Sequence, residues 1–204
     1  MRTASVAIAI AASVLTLAAC GGGKTLKPAD QAGIGSVSVA ATVKVVDQPT
    51  VVGSEAGLSA LFGAAGAAAT AESQKSAGKS FADYLAASGI DVGDIVRQQF
   101  TDKLRSDPIY GPRLSADGSY HFVLEVRSYG INKTTMVSSE WGPNLGVYYK
   151  LVSPDGKVLA DDFATTWFSD VPKFTMEEIK ANPQVLKRAF ETAAAIVSAK
   201  LLKT

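Results

Sequence analysis

The two side chains most used for chemistry occur once each in this 204-residue chain, as Cys20 and His121. A thiol is the strongest nucleophile among side chains, and Cys20 follows Leu17-Ala18-Ala19. The small residues let a peptidase reach the backbone next to a thiol that has been turned into a thioether. Upstream stand one positive charge, Arg2, and an apolar run from Val6 to Leu17 broken only by Ser13 and Thr16. That is the pattern of a secretory signal peptide. The run is too short for a hydrocarbon core that takes roughly 20 apolar residues to cross.

The remaining candidates point away from catalysis. A single histidine excludes zinc and facial-triad sites that need two. A Ser-His-Asp triad would have to use His121, yet no G-x-S-x-G elbow is present. Alternation puts His121 opposite Tyr120, Phe122 and Leu124, on the solvent side of a strand. Asp161-Asp162 and Glu177-Glu178 are adjacent pairs, which diverge on a strand or a helix instead of converging as an acid/base dyad. Gly23-Lys24-Thr25 matches the tail of a phosphate-binding loop, but the first glycine of that motif would fall at Ala18 and no strand precedes it. The expectation is therefore no catalytic residue, no cofactor, no metal and no enzyme.

Leu17, Ala18, Ala19 and Cys20 match one for one the lipobox that the ending resembles, that of bacterial lipoproteins. The resemblance implies that Leu17, Ala18 and Ala19 are read by the signal peptidase and that Cys20 becomes the acylated first residue. Two or three acyl chains anchor firmly where one is marginal. Residue 21 is Gly, where inner-membrane retention would place Asp, so the expected address is the outer membrane, facing the periplasm. Residues 1–19 form the removed signal peptide, the Gly-rich and polar residues 20–33 a flexible spacer, and residues 34–204 one domain.

Arg2 is the one charge in residues 1–19, so 19 basic side chains face 19 acidic ones in the remainder. No basic surplus exists for nucleic acid. With its only cysteine acylated, the domain has no disulfide, and stability must come from packing.

Hydrophobic periodicity then places the elements. A period-two strand is expected over residues 34–45, ended by Asp47-Gln48-Pro49. Residues 56–71, AGLSALFGAAGAAATA, carry small residues at every fourth position and read either as a buried helical insert or as a membrane-contacting, self-associating segment. Residues 71–80 read as a polar loop, and Ser80 as the cap of a short helix ending at Gly89. Asp91 caps the next helix, striped by Val92, Val96, Phe100 and Leu104. Strands follow over residues 120–127, 145–152 and 157–168, the last two joined by Pro154-Asp155-Gly156. Residues 130–144 read as loop. Thr175 and Glu178 form a capping box, and Leu186, Phe190, Ala193, Val197 and Leu201 stripe a final helix. The aromatics Trp141, Tyr148, Tyr149, Trp167 and Phe168 cluster around the hairpin, where alternation should bury one of each adjacent pair.

Together these give an α+β domain: a mainly antiparallel sheet of about four strands, packed against helices on one face, with an Ala/Gly-rich helical insert. This element order and the lipid anchor are loosely similar to curli-secretion-type envelope lipoproteins and the N-terminal module of the Tol-system propeller protein. Residues 56–71 do not alternate and so depart from the membrane hairpins of the pore-forming members. The expected function is an envelope binding or assembly module that contacts the membrane through its lipid and engages a protein partner. The alternative is an oligomeric, membrane-associated export or transport component, a homo-oligomer through residues 56–71, and the third and least favoured reading is a hydrolytic enzyme.

Cys20→Ser should abolish incorporation of labelled fatty acid and leave the precursor unprocessed or released, because a hydroxyl lacks the thiol's nucleophilicity. Labelling of the variant would refute lipidation at Cys20.

Overall fold

The computed structural model describes residues 23–26, 28–53, 71–135, 138–167 and 169–203. Leu17, Ala18, Ala19, Cys20, Phe168 and the small-residue stretch up to residue 70 lie outside the described residues.

A mixed sheet of six strands forms one layer: β1 Val37–Val39, β2 Lys44–Val45, β3 Thr50–Val52, β4 Tyr120–Lys133, β5 Trp141–Val152 and β6 Val158–Thr165. Five helices accompany it among the described residues: α1 Pro28–Ala32, α2 Ala71–Ala87, α3 Val92–Arg105, α4 Met176–Ala181 and α5 Gln184–Leu201. The α+β class is as expected and most of the pairing is antiparallel, but the strand count is corrected from about four to six, and three short strands make the sheet mixed. β1, β2 and β3 all run parallel to β4, meeting residues 120–122, 125–126 and 130–132 in turn. They are one sheet edge in three pieces, interrupted by the bend at residues 40–43 and by Pro49, which has no N–H for a ladder. The strands are parallel because the helical crossover through α2 and α3 returns the chain to the end where β1 began. β4–β5 and β5–β6 are antiparallel.

Two further expectations change. Residues 71–80 are not loop and Ser80 caps nothing: they are the first half of α2, whose Ala77, Phe81 and Leu85 are buried at i, i+4, i+8. The polar residues are its wet side, where Lys79 pairs with Asp83 at 2.8 Å. Gly78 sits where a Cβ would come within 2.5 Å of the Pro49 carbonyl oxygen, so α2 lies directly on the edge loop. Residues 130–133 and 141–144, expected as loop, extend β4 and β5.

The helix ends follow the sequence more closely. Gly89 takes φ +66°, and Ile90 N–H reaches back to Leu85 O at 2.9 Å, closing α2 in a Schellman turn. Asp91 accepts from Asp94 N–H at 2.9 Å to start α3, and Thr175 with Glu178 forms the capping box of α4.

The core lies between the sheet and these helices. Phe100 of α3 meets Phe122 of β4 with centroids 5.4 Å apart, and Tyr110 meets Phe122 edge-on at 5.2 Å. Along α5, Leu186, Phe190, Ala193 and Val197 are fully buried and Leu201 nearly so, as the stripe required. Phe190→Ala should therefore cost about 3–5 kcal/mol, from lost transfer plus the cavity left behind, and lower the thermal midpoint by roughly 6–20 °C at this chain length. An unchanged midpoint in calorimetry would mean that α5 is peripheral.

Candidate functional site

Alternation along β4 and β5 turns Phe122, Leu124, Val126, Leu145, Val147 and Leu151 toward the helices and their neighbours toward the opposite face. Among the described residues no helix covers that second face, where Val123 is 40% and Phe163 46% exposed. Among the described residues it is the open face of the sheet, and it is not uniformly polar.

A string of charged and aromatic groups crosses it from edge to edge. Lys44 of β2 pairs with Glu125 of β4 at 3.3 Å, and Glu125 also accepts from Arg127 Nε at 3.5 Å. The Arg127 guanidinium lies 3.6 Å over the ring of Tyr148 on β5, the distance of a cation–π stack. The Tyr148 hydroxyl donates to Asp161 of β6 at 2.5 Å. Asp161 in turn accepts from the Lys24 backbone N–H at 2.8 Å, while its own N–H donates to Lys24 O at 3.1 Å. Lys24 Nζ adds a bond to Val158 O at 2.7 Å.

The titration of these groups follows from the contacts. The Tyr148 hydroxyl bond holds the Asp161 carboxyl below its usual range, helped by the Lys24 backbone N–H. The same bond, then desolvation, pushes the Tyr148 phenol upward. Desolvation alone would raise Glu125, but the Lys44 bond and charge, with Arg127, bring it below its usual value. Tyr149, on the helix side, is raised by burial.

Lys24 belongs to the stretch expected as a spacer. Lys24 itself is hydrogen-bonded against β6 at Asp161 and Val158, and α1 follows it, tied to Arg113 through Gln31 O at 2.7 Å. The Gly23-Lys24-Thr25 string thus serves as an edge contact. Its signal, one lysine in a polar run, could not have been distinguished from linker.

His121 is exposed, as alternation required, with Ser38 Oγ 2.8 Å from its Nδ1. Ser38 also lies 3.2 Å from Gly118 O, and among the described residues no carboxylate bonds His121. Asp161 and Asp162 diverge: Asp162 accepts from Phe163 N–H at 2.8 Å, away from the Tyr148 contact. Glu178 is spent in its capping box and Glu177 is exposed. Among the described residues no three His, Cys, Asp or Glu gather as metal ligands. Of the aromatics, Trp141 is buried, Tyr149 faces the core and Tyr148 the open face, and Trp167 is 67% exposed.

Two concavities flank these elements. One, of about 490 Å³, is an apolar cleft between the α2–α3 junction and Tyr129. The other, of about 420 Å³, lies on the open face where β3, β4 and β5 meet the chain beyond β6, and Trp167 forms part of its wall. The second has no counterpart in the sequence pattern, because residues 130–144 read as loop.

No family model matches the chain, and no curated protein matches it. Among solved structures it is similar to a Xanthomonas campestris protein assigned to the family DUF330, at 14% identity and a TM-score of 0.43, covering 81% of this chain and 80% of that one. It is also similar to a PelC variant from Paraburkholderia phytofirmans, a dodecamer, at 14% identity and a TM-score of 0.35, covering 83% and 88%.

Because Asp161 is depressed in the folded chain, the stability it contributes is complete above the ordinary carboxylate value and is lost as pH falls through the lower, folded one. The Lys24 amide resonance should therefore titrate with a midpoint below about 3.9. Tyr148→Phe should move that midpoint up toward the ordinary value. A Lys24 amide insensitive to pH in this range would break the assignment.

Proposed function

We propose that this protein is a lipid-anchored module of the bacterial envelope that binds a protein partner on its open sheet face and carries out no catalysis. The observation that carries this is the Arg127–Tyr148–Phe163 cluster on that face, with Arg127 and Phe163 exposed and Tyr148 half-buried. Tyr148 and Phe163 are directly opposite on β5 and β6. Aromatic residues and arginine are the side chains most enriched at the energetic centres of protein interfaces. A sheet meant only for water would place such area inside.

The position of Lys24 supports the anchoring half of the proposal. With Cys20 acylated, the four steps from Cys20 to Lys24 reach at most about 14 Å when fully extended. Since Lys24 is hydrogen-bonded to Val158 and Asp161, the sheet end at the β5–β6 turn is held close to the lipid. The functional tether is then residues 20–23 and not the whole of 20–33. The open face stands beside the membrane, within reach of other envelope proteins.

A photo-crosslinking residue at Phe163, in the lipidated protein in its own envelope, should give a discrete adduct. The same residue at exposed Lys103 on α3 should not. Arg127→Ala should reduce the Phe163 adduct several-fold. Equal yields from both positions, or none from Phe163, would sink the partner site.

A further inference from the structure

At the end of the open face remote from Lys24 lies a trough lined by uncharged side chains. The 420 Å³ trough is walled by Ser128 and Asn132 of β4, Asn144 of β5, Thr165 of β6 and Trp167, and none of its lining residues is ionisable. Its size falls within the range of small-ligand sites. Asn132 stands opposite Gly142 and Asn144 opposite Gly130, so each amide faces a residue without a side chain. At Gly130, with φ +153°, a Cβ would come within 1.7 Å of Thr50 O, so only glycine fits there.

The two amides meet diagonally, Asn144 Nδ2 donating to Asn132 Oδ1 at 3.1 Å. That single bond uses one end of each, and among the described residues Asn132 Nδ2 and Asn144 Oδ1 have no further partner. Among the described residues the pair therefore leaves one amide N–H donor and one carbonyl acceptor at the trough, next to hydroxyls that both donate and accept.

Trp167 is held in place by its surroundings. Thr166 receives the Leu145 N–H on its Oγ1 at 3.0 Å, and Asp170 N–H closes a turn onto Trp167 O at 3.0 Å. Lys200 of α5 fastens both sides, with Nζ 3.2 Å from Thr165 O and 3.0 Å from Asp170 Oδ2. The protein thus fixes the backbone around an indole that it leaves 67% in water, while its other tryptophan is 1% exposed.

We propose that the trough is a binding site for a neutral saccharide. A pyranose ring has an apolar C–H face that stacks on an indole, and vicinal hydroxyls that at once donate to Asn144 Oδ1 and accept from Asn132 Nδ2. Other ligand classes fit the lining less well. A nucleotide or an acidic sugar would need a cation, and none lines the trough. A lipid tail would leave the amides unpaired. A peptide strand would have to add to an outer edge, of β3 or β6, whereas the trough lies across the face over β4 and β5, which are each paired on both sides. The site requires neither lipidation nor the protein partner.

The test is titration of the detergent-solubilised full chain with cellohexaose, maltohexaose and chitohexaose, following tryptophan emission and heat. At least one should bind, shift the emission to shorter wavelength, and bind equally well in 0.5 M NaCl, since no charge is engaged. Trp167→Ala should weaken that binding at least tenfold with an unchanged thermal midpoint, Trp167→Phe should weaken it less, and Asn144→Ala should weaken it measurably. Absence of binding to all three, binding undiminished in Trp167→Ala, or binding that salt abolishes would each overturn the proposal. The plain and N-acetylated probes separate two classes of neutral glycan.

Discussion

One extra residue in β4 decides what both faces of the sheet present. The ladder with β5 shifts between Val126 and Ser128, leaving Arg127 as a β-bulge. Up to Val126 the even-numbered residues face the helices, and beyond the bulge Tyr129 and Ile131 do. Without it, unbroken period-two alternation would carry Ser128, Gly130 and Asn132 into the core and put Tyr129 and Ile131 in water. The bulge therefore completes the core, floors the trough, and releases Arg127 to lie over Tyr148.

The string from Lys44 to Lys24 follows from that arrangement and is a matter of geometry more than of stability. Its ion pairs are largely exposed, with Lys44 at 79% and Arg127 at 46% side-chain accessibility. Pairs of this kind contribute about 0–1 kcal/mol each. The free energy of folding resides instead under α5, where Phe190 and its neighbours are excluded from water. What the string does is fix Arg127 and Tyr148 on the open face, beside Phe163 on the neighbouring strand. It also fastens residue 24 to β6, coupling the start of the domain to the same face.

Helix packing and surface chemistry meet at Lys200. Its stem leaves α5, the most buried helix, and its ammonium ties the chain after β6 at Thr165 O and Asp170. The wall of the trough is thereby carried by the core and not by a free loop, an arrangement suited to a preformed site.

Sequence alone determined what depends on local chemistry. Helix caps at Asp91 and Thr175, the Gly89 stop, the α3 and α5 stripes and the exposed side of His121 were all legible, because a cap or a stripe is set by residues three or four apart. The lipobox reading is of the same local kind, although Cys20 lies outside the described residues. Legibility failed where a distant partner decided. Residues 130–144 read as loop because the phase slip at Arg127-Ser128 breaks the alternation. The apolar pair Tyr129 and Ile131 on the shifted phase was the available sign of a bulge. Residues 71–80 became helix where Gly78 packs against an edge loop some 30 positions earlier in the chain, and Lys24 is docked where β6, more than 130 residues later, offered hydrogen-bond partners on its outer edge. The parallel course of β1–β3 and the meeting of Asn132, Asn144 and Trp167 are likewise tertiary. Spacing along a chain specifies which side of an element a residue occupies, but only closure of the sheet specifies its neighbours.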